Sequence, residues 1–438
     1  MRPNRRDILR GMASGTAVLT MPSFLAGCAT TSQPAASVLA AAPANPFYSW
    51  FGLDDGVLHR VLTELTARGA DHADLYFQYT RSNSITLEDG IVSRASSAID
   101  EGVGLRVVVG DQTGYAFTED LSEQAIRAAA KTASAIAHGG GMAAPQAFET
   151  QAAPHSLYQL NVAWADVGID QKLPLIQALE AKAKALDPAV TKVRISWSDS
   201  ESRVLVANHL GHVHTDVRPQ SRVWCSITAE KDGLTQSNAA NLAGRHGVDW
   251  YTDERLTDLA QQAVDRTMIL FDARRPPAGE LPVVLAAGAS GILLHEAIGH
   301  GMEADFNRKD VSIYADAIGK KVAPDFVTIV DSGLHEGERG ALNFDDEGNA
   351  AERTVLVENG TMASYLHDGI SAKHYGVKPT GSGRRQSFRH APMPRMRCTY
   401  MEPGPHTREE IIASVTGTGI IAETFTNGQV QIGAGDFT

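Results

Sequence analysis

The first regular pattern of apolar residues in the chain has helical spacing. It lies behind Asp54, a good N-cap residue, and comprises Val57, Leu58, Val61, Leu62 and Leu65. Alternating apolar residues then predict half-buried strands, and Asp89-Gly90 predicts the tight turn of a hairpin. A second helix is predicted from its cap, Ser122, to Ala137. The order of helix, strand meander and helix predicts an antiparallel α+β unit.

A weaker version of this pattern follows. A helix near 170–186 precedes three strand-like runs, which are Lys192–Trp197, Arg203–Ala207 and Arg222–Thr228. We therefore predict an N-terminal α+β domain over residues 48–275, sandwich-like and with antiparallel sheets. The repeated order suggests an internal duplication, with related halves at 48–145 and 155–270.

The pattern changes after this domain. The proline-rich run Arg274–Gly279 is typical of a linker. Beyond it, Leu281–Leu285 predicts a buried strand, Ala286–Ser290 a turn, and Ile292–Leu294 the start of a buried helix. The rest of 280–438 reads as mostly strands. The predicted fold class is α+β, with a mostly β C-terminal domain that carries one helix.

The first 28 residues resemble an export signal. Arg5-Arg6 resembles the motif of a twin-arginine export signal, and the apolar stretch Ala13–Leu25 is too short to span a membrane. The run Leu25-Ala-Gly-Cys28 resembles a bacterial lipobox, although a chance cysteine in a plain twin-arginine signal is the alternative. Residues 29–47 read as a flexible linker. We expect an exported protein, periplasmic or anchored to the cell envelope by a lipid on Cys28.

Composition narrows the class of protein. The chain has 438 residues, 43 % of them hydrophobic, which is enough for two or three domains with cores. A net charge of −12 argues against nucleic-acid binding. Cys225 and Cys398 lie far apart in sequence, and two buried free thiols are favoured over a disulfide.

The predicted helix of the C-terminal domain carries two histidines around a glutamate, in the run His295-Glu296-Ala-Ile-Gly299-His300. Zinc hydrolases need imidazole ligands and a carboxylate that activates water. Their usual spacing is His-Glu-x-x-His, whereas this chain has one residue more. On a regular helix the two histidines would lie about 140° apart. The helix must therefore widen or end near Gly299 for both to reach one metal.

A structural reading of the same run is the alternative. Histidine and glutamate in an apolar stretch are commonly a hydrogen-bonded feature of a core. An unpartnered ionisable trio on a buried helix would be costly, however, and a metal ion would remove that cost. The context therefore favours a metal site with His295 and His300 as ligands.

The sequence that follows the motif resembles a known family. The stretches HEAIGHGMEADFNRKDVSIYADAIGKK and YLHDGISAKHYGVKPTGSGRRQSFRHAPMPRM are similar to the catalytic half of TldD/PmbA metallopeptidases, on the TldD side. The resemblance spans roughly residues 54 to 438. It implies a zinc-dependent peptidase that acts on unfolded or extended peptides. It also implies a dimer, with itself or with a TldE/PmbA-like paralogue that lacks the motif.

The resemblance also implies a third metal ligand. In the family this is a cysteine in a Gly-x-Cys-Gly-Lys-x-Gly-Gln segment, which the sequence up to Thr438 does not contain. We therefore expect the C-terminal domain to be incomplete and the 438-residue chain to be a weak peptidase. Cys398 is the one candidate substitute, because a thiolate is a strong zinc ligand.

Other polar groups carry weaker signals. Glu303 and Asp305 follow the second histidine, where carboxylates commonly orient metal-bound imidazoles. Arg384-Arg385 and Arg395 could bind a substrate carboxylate or pair with internal acids. His212 and His214 share one strand face, and ordinary polar side chains on a surface strand or hairpin are favoured over a metal site there. The acidic run Asp345-Asp346-Glu347 is more typical of a solvated turn than of a cation site.

These observations lead to a hypothesis of metal-assisted amide hydrolysis. Glu296 would move a proton from water to the leaving amine, and the peptide would lie extended along a sheet edge. The alternatives are a non-catalytic scaffold or peptide-binding partner in a TldD/TldE-like complex, and a metal-binding chaperone for exported peptides. A scaffold has no reason to retain His295, Glu296 and His300 together, so the enzyme is favoured.

Overall fold

The computed structural model describes residues 46–437, except for 140, 142–143, 289–290 and 425–427. The predicted signal, with Cys28, lies outside the described residues, as does most of the predicted linker. The last two residues of that linker, Pro46 and Phe47, begin a helix. Phe47 is fully buried and its ring centroid lies 5.7 Å from that of Phe77. Because this ring is part of a core, the folded N-terminal domain includes two residues more than predicted.

One seven-stranded sheet forms the centre of the N-terminal domain. Its strands are β1 (His72–Glu88), β2 (Ile91–Val109), β3 (Gln112–Thr118), β4 (Glu149–Thr150), β5 (Val190–Asn208), β6 (His212–Lys231) and β7 (Leu234–Gly244). They lie in the order β3-β2-β1-β5-β6-β4, and β7 also pairs with β6. All pairs are antiparallel except β4 with β6. The strands from both predicted halves thus belong to a single sheet.

Two tight turns connect the longest strands. Asp89-Gly90 joins β1 to β2, and Asp232-Gly233 joins β6 to β7. All four residues have positive φ, between 48° and 81°, as a two-residue hairpin of this kind requires. The hairpin predicted at Asp89-Gly90 is confirmed, since Glu88 pairs with Ile91 directly across the turn.

Five helices cover this sheet: α1 (Pro46–Phe51), α2 (Asp55–Leu65), α3 (Glu123–Ile136), α4 (Ile169–Leu186) and α5 (Asp253–Met268). The Asp54 side chain caps α2 by accepting from the Val57 N–H at 2.8 Å, and Ser122 caps α3, as predicted. Helices α2 and α3 pack with β1–β3 in one core, whereas α4 and α5 pack with β5–β7 in a second. Each half therefore has the order helix, three antiparallel strands, helix. Of the helices in the described part, none has the length and apolar character needed to cross a membrane.

The C-terminal region consists of short elements. Its strands are β8 (Val283–Leu285), β9 (Ile329–Ser332), β10 (Arg353–Glu358), β11 (Thr361–Met362), β12 (Gly383–Arg384), β13 (Met393–Pro394), β14 (Cys398–Met401), β15 (Ile420–Ala422), β16 (Val430–Gln431) and β17 (Asp436–Phe437). Its helices are α6 (Gly291–Leu293), α7 (Ala304–Asn307), α8 (Gly369–Tyr375) and α9 (Arg408–Ala413). Strands β11-β10-β9-β14 form the largest sheet here. The α+β class is confirmed, and α7, α8 and α9 accompany the motif helix.

A buried network of charges joins the sheet to the C-terminal region. Asp74 on β1 is fully buried between Arg106 and Arg385, with N–O distances of 2.6 and 2.5 Å. Arg106 also lies 2.7 Å from Glu347. Burial opposes ionisation of Asp74, but the two guanidinium groups outweigh it and hold the pKa of this carboxyl well below its usual range. These ion pairs fix the C-terminal region against the sheet.

Candidate metal centre

The motif segment lies closer to the surface than its apolar sequence predicts. Val283 on β8 is 53 % exposed and Ile292 on α6 is 40 % exposed. The strand and the helix start form within the predicted segments, but the prediction that they are buried is wrong at these positions. The reason is that β8 pairs only with β15, in a separate two-stranded sheet of the described region. Leu294 is the residue of this segment that enters the C-terminal core.

A wide helical turn places the two motif histidines side by side. Residues Leu294–Gly299 form a π-helical turn, and the His300 N–H donates to the carbonyl of His295. In a turn with i→i+5 hydrogen bonds, residues five apart lie on the same side. The ring centroids of His295 and His300 are 4.7 Å apart, with an interplanar angle of 82°. The helix thus widens as the extra residue of the motif requires.

Two glycines allow the chain to pack closely around this turn. A Cβ on Gly299 would lie 1.9 Å from Met396 Sδ, and one on Gly301 would lie 2.6 Å from the ring of Tyr314. Met396 and Tyr314 both pack in the C-terminal core. The turn is therefore held by its neighbours as well as by its own hydrogen bonds.

The donor atoms of His295, Glu296 and His300 lie within 4.8 Å of one another. Within the described residues, this is the one group of three such side chains that could hold a metal ion. Burial and the neighbouring His300 lower the pKa of His295, which favours the neutral imidazole that binds metals. The set of two imidazoles and an adjacent carboxylate therefore fits a divalent metal such as zinc.

Glu303 orients one of these imidazoles. Its carboxylate is fully buried and Oε2 lies 3.1 Å from His300 Nδ1, so Nε2 is left as the ligand atom. The hydrogen bond to Glu303 raises the pKa of His300, and burial raises the pKa of Glu303. Arg395 Nη1 donates to the same Oε2 at 2.8 Å. Asp305, which the sequence suggested for a similar role, makes no hydrogen bond or ion pair with either imidazole.

Two cavities flank the histidines. The first, called here the strand-side cavity, has a volume of about 440 Å³ and is lined by Glu296, His300, Phe306 and the β16 strand, among others. The second, the arginine cavity, has about 430 Å³ and is lined by both histidines together with Arg384, Arg385, His390 and Arg395, among others. Since His300 lines both, the candidate metal site lies between two spaces large enough for parts of a peptide. A lone histidine has no spacing pattern, so the sequence did not single out His390.

The acidic run Asp345-Asp346-Glu347 has a structural role. The three residues are 0, 4 and 6 % exposed, so the predicted solvated turn is wrong. Asp346 pairs with Arg218 at 2.5 Å and Glu347 with Arg106. These arginines come from strands more than 100 residues earlier, and local sequence could not reveal them. Asp345 accepts backbone N–H groups from Glu347, Asn349 and Gly383.

The remaining polar candidates are not members of the metal-binding group. Both Cys225 and Cys398 are free thiols. Cys398 is on β14 and is not part of the metal-binding group, and burial raises the pKa of its thiol. His212 is exposed, whereas His214 is partly buried against Phe344, and burial lowers the pKa of His214 to about 4. The structure brings neither of these histidines to the motif.

The site combines two histidines and an adjacent glutamate on one helical turn, beside cavities large enough for parts of a peptide. This arrangement is typical of a metallopeptidase. Family models agree along the chain. The PmbA/TldA metallopeptidase domain 1 matches residues 73–137, the central domain 163–271 and the C-terminal domain 278–438. The chain therefore belongs to the PmbA/TldD family of metallopeptidases, on its TldD side.

Individual relatives support this assignment. A protein of Haemophilus influenzae named metalloprotease TldD homolog is 38 % identical, and the match covers 88 % of this chain and 81 % of that protein. A Saccharolobus solfataricus protein named zinc metalloprotease TldD homolog is 24 % identical over 83 % of this chain and 81 % of its own.

Solved structures share the fold. TldE of Thermococcus kodakarensis has a TM-score of 0.67 at 18 % identity, with 85 % of this chain and 84 % of that chain covered. A Bacteroides thetaiotaomicron protein proposed to be a modulator of DNA gyrase has a TM-score of 0.69 at 20 % identity, with 87 and 84 % covered. At these identities the likeness concerns the fold alone.

Proposed function

We propose that this metallopeptidase is zinc-dependent and hydrolyses unfolded or extended peptides. The observation that carries the proposal is the wide turn that gathers the donor atoms of His295, Glu296 and His300 within 4.8 Å. Imidazole nitrogens are common zinc ligands, and the Saccharolobus relative is named for zinc. Both facts support the choice of metal.

Each residue of the site has a separate role in this proposal. His295 and His300 would hold the zinc ion, which when bound would supply Lewis acidity toward water and the scissile carbonyl. Glu296 takes a proton from the attacking water and delivers it to the leaving amine. Glu303 keeps the His300 ring oriented through the 3.1 Å hydrogen bond to Nδ1.

The substrate preference follows from the strand-side cavity. Strand β16 lines this cavity beside Glu296 and, within the described region, pairs only with β17. Its other edge can take up an extended peptide through main-chain hydrogen bonds, which tolerate many side chains. A folded protein does not present such a free extended segment, so unfolded polypeptides and peptides are the proposed substrates.

The Glu296→Gln variant tests the peptidase proposal. The zinc-loaded protein is incubated with an unstructured peptide, cleavage is followed by mass spectrometry, and binding is followed by fluorescence anisotropy. We expect the wild-type protein to cleave the peptide, and the variant to bind it without cleaving it. A wild-type protein that binds peptides and never cleaves them would favour the non-catalytic scaffold instead.

We also propose that the chain functions as a dimer, with itself or with a PmbA/TldE-like paralogue. The shared fold with TldE of Thermococcus kodakarensis supports this proposal. Light scattering of the purified chain, alone and mixed with such a paralogue, tests it. A mass of one chain in both samples would contradict it.

Export is the last part of the proposal. Arg5-Arg6 and Leu25-Ala-Gly-Cys28 support a twin-arginine route and a lipid anchor on Cys28. Fractionation of cells that express the wild-type protein and Cys28→Ser tests the anchor. We expect the variant to leave the membrane fraction, and an unchanged distribution would contradict lipidation.

A further inference from the structure

The three arginines that line the arginine cavity differ in how their charge is balanced. Arg385 is paired with Asp74 at 2.5 Å and Arg395 with Glu303 at 2.8 Å. Arg384 forms no ion pair with any carboxylate of the described residues. Its side-chain hydrogen bond goes from Nη1 to the backbone carbonyl of Met396, at 2.9 Å. Carboxylates of the protein thus neutralise two of the three positive charges, whereas the third forms no ion pair within the described residues.

The surroundings of Arg384 make this charge unfavourable without a ligand. Burial lowers the pKa of its guanidinium. Asp346 and Asp331 only partly offset that effect, and Arg218 and Arg397 lower the pKa further. A partly buried cation without a carboxylate partner is costly. An anion that entered the cavity would remove this cost and would find a rigid, two-pronged donor.

The two cavities also differ in charge. The described residues that line the arginine cavity include three arginines and three histidines, but Glu303 is the one carboxylate among them, and Arg395 already neutralises it. The described residues that line the strand-side cavity include the carboxylates Glu296, Glu303 and Asp436, with Arg395 as the one arginine among them. A negatively charged group is therefore favoured in the arginine cavity and disfavoured in the strand-side cavity.

We propose that Arg384 is a specificity residue that binds a carboxylate of the substrate in the arginine cavity, beside His295 and His300. The carboxylate is either the C-terminal group of the peptide or the side chain of an aspartate or glutamate near the scissile bond. This inference rests on the proposed peptidase function and names the substrate class of the same site. The enzyme would then prefer peptides that carry a negative charge on one defined side of the cleaved bond.

Three peptides of equal length distinguish the two sources of the carboxylate. The first has a free C-terminus and no acidic side chain, the second is the same peptide with an amidated C-terminus, and the third is amidated and carries one glutamate near the scissile bond. We expect the wild-type protein to cleave the first or the third with a kcat/KM about tenfold above that of the second. Whichever peptide is preferred identifies the source.

In the Arg384→Gln variant the kcat/KM for the preferred peptide should fall to about that of the second peptide, so that the tenfold preference is lost. Arg384→Lys should retain part of it, because lysine keeps the charge but not the planar fork. Arg353→Gln is the matched control, since Arg353 is a surface residue paired with Glu402 and lines neither cavity. Its preference should equal that of the wild type.

A second measurement does not depend on catalysis. Thermal unfolding is followed with three probes at millimolar concentration. They are N-acetyl-dialanine, whose C-terminus is a carboxylate, the C-terminal amide of N-acetyl-dialanine, and the α-amide of N-acetyl-glutamate, whose one carboxylate is the side chain. A carboxylate probe, but not the amide, should raise the Tm of the wild-type protein and of His295→Ala. Arg384→Gln should show no rise, and its Tm without probe shows whether it folds.

The outcomes separate this inference from the peptidase proposal. Equal cleavage of all three peptides by the wild-type protein, or an unchanged preference in Arg384→Gln, would overturn the role of Arg384 and leave the peptidase intact. If no peptide is cleaved, the peptidase proposal fails and the Tm measurement decides on Arg384. Equal Tm shifts in the wild type and Arg384→Gln would overturn carboxylate binding.

Discussion

The backbone N–H of His300 donates to the carbonyl oxygen of His295, five residues earlier, across the turn Leu294–Gly299. A regular α-helix would have placed these two side chains about 140° apart. The wider turn brings their rings to a centroid distance of 4.7 Å, with Glu296 beside them. The extra residue in this motif, compared with His-Glu-x-x-His, is therefore accommodated by the backbone.

Gly299→Ala should disturb this turn. The new methyl group would lie 1.9 Å from Met396 Sδ, so either the turn or the buried Met396 side chain must move. We expect a loss of about 1–3 kcal/mol in the free energy of unfolding and weaker zinc binding, measured by urea denaturation and zinc titration. Gly404→Ala is the control, because its Cβ would come no closer than 3.7 Å to its neighbours. Unchanged zinc affinity in Gly299→Ala would contradict the importance of the turn.

Removal of the Glu303 side chain should weaken the metal site without removing a ligand. Glu303→Ala abolishes the hydrogen bond that orients His300, and such changes lower metal affinity by about 10–100-fold. Competition with a zinc chelator measures the affinity. Glu358→Ala is the matched control, because Glu358 is exposed and belongs neither to the metal-binding group nor to the lining of either cavity, and its zinc affinity should equal that of the wild type. Equal affinities in all three proteins would disprove the orienting role.

Local sequence signals predicted the elements well. The Asp54 and Ser122 caps, the Asp89-Gly90 hairpin and the α+β class could be derived because caps, turns and periodicity act over a few residues. The spacing of His295 and His300 likewise required a widened helix. The pairing of all seven strands into one sheet depends on contacts between distant segments, and the sequence pattern did not contain it.

Charge partners were the part that the sequence could not provide. The run Asp345-Asp346-Glu347 has the composition of a solvated turn, yet Arg106 and Arg218 reach it from β2 and β6. In the same way, the sequence left open whether the arginines near the motif bind substrate or internal acids. The fold pairs Arg385 and Arg395 internally, through partners 311 and 92 residues away. Among the described residues, it leaves Arg384 without a carboxylate that forms an ion pair with it.

Acid should weaken the protein through Asp74. The pKa of this carboxyl is lower in the folded chain than its ordinary value of 3.8, so its ionisation stabilises the fold above about pH 4. That stabilisation is lost as the pH falls below this value toward the folded pKa. Asp74→Asn leaves Arg106 and Arg385 buried without this partner and should cost about 3–5 kcal/mol at neutral pH. Urea denaturation from pH 7 down to pH 3 measures the free energy of unfolding of the wild type and of Asp74→Asn. The difference between these two free energies should shrink below pH 4. A constant or growing difference would contradict the ion-pair assignment.

Cys398→Ala should leave zinc binding unchanged. The Cys398 side chain lies against Gly340, outside the group formed by His295, Glu296 and His300. Burial raises the pKa of its thiol, which disfavours the thiolate that zinc binds. Zinc titration of the variant beside the wild type checks this expectation. A marked loss of affinity would show that Cys398 is a ligand after all.

The most direct test of the account compares zinc binding and peptide cleavage in the same set of variants. His295→Ala and His300→Ala should lose zinc, whereas Glu296→Gln should keep it, because the ligands hold the metal and the base only moves protons. The zinc bound per chain at a fixed excess of metal, read by mass spectrometry of the metal, gives the first result, and turnover of an unstructured peptide gives the second. Glu296→Gln should retain the zinc of the wild type and lose cleavage. Full zinc retention in the double variant of His295 and His300 would contradict the site itself.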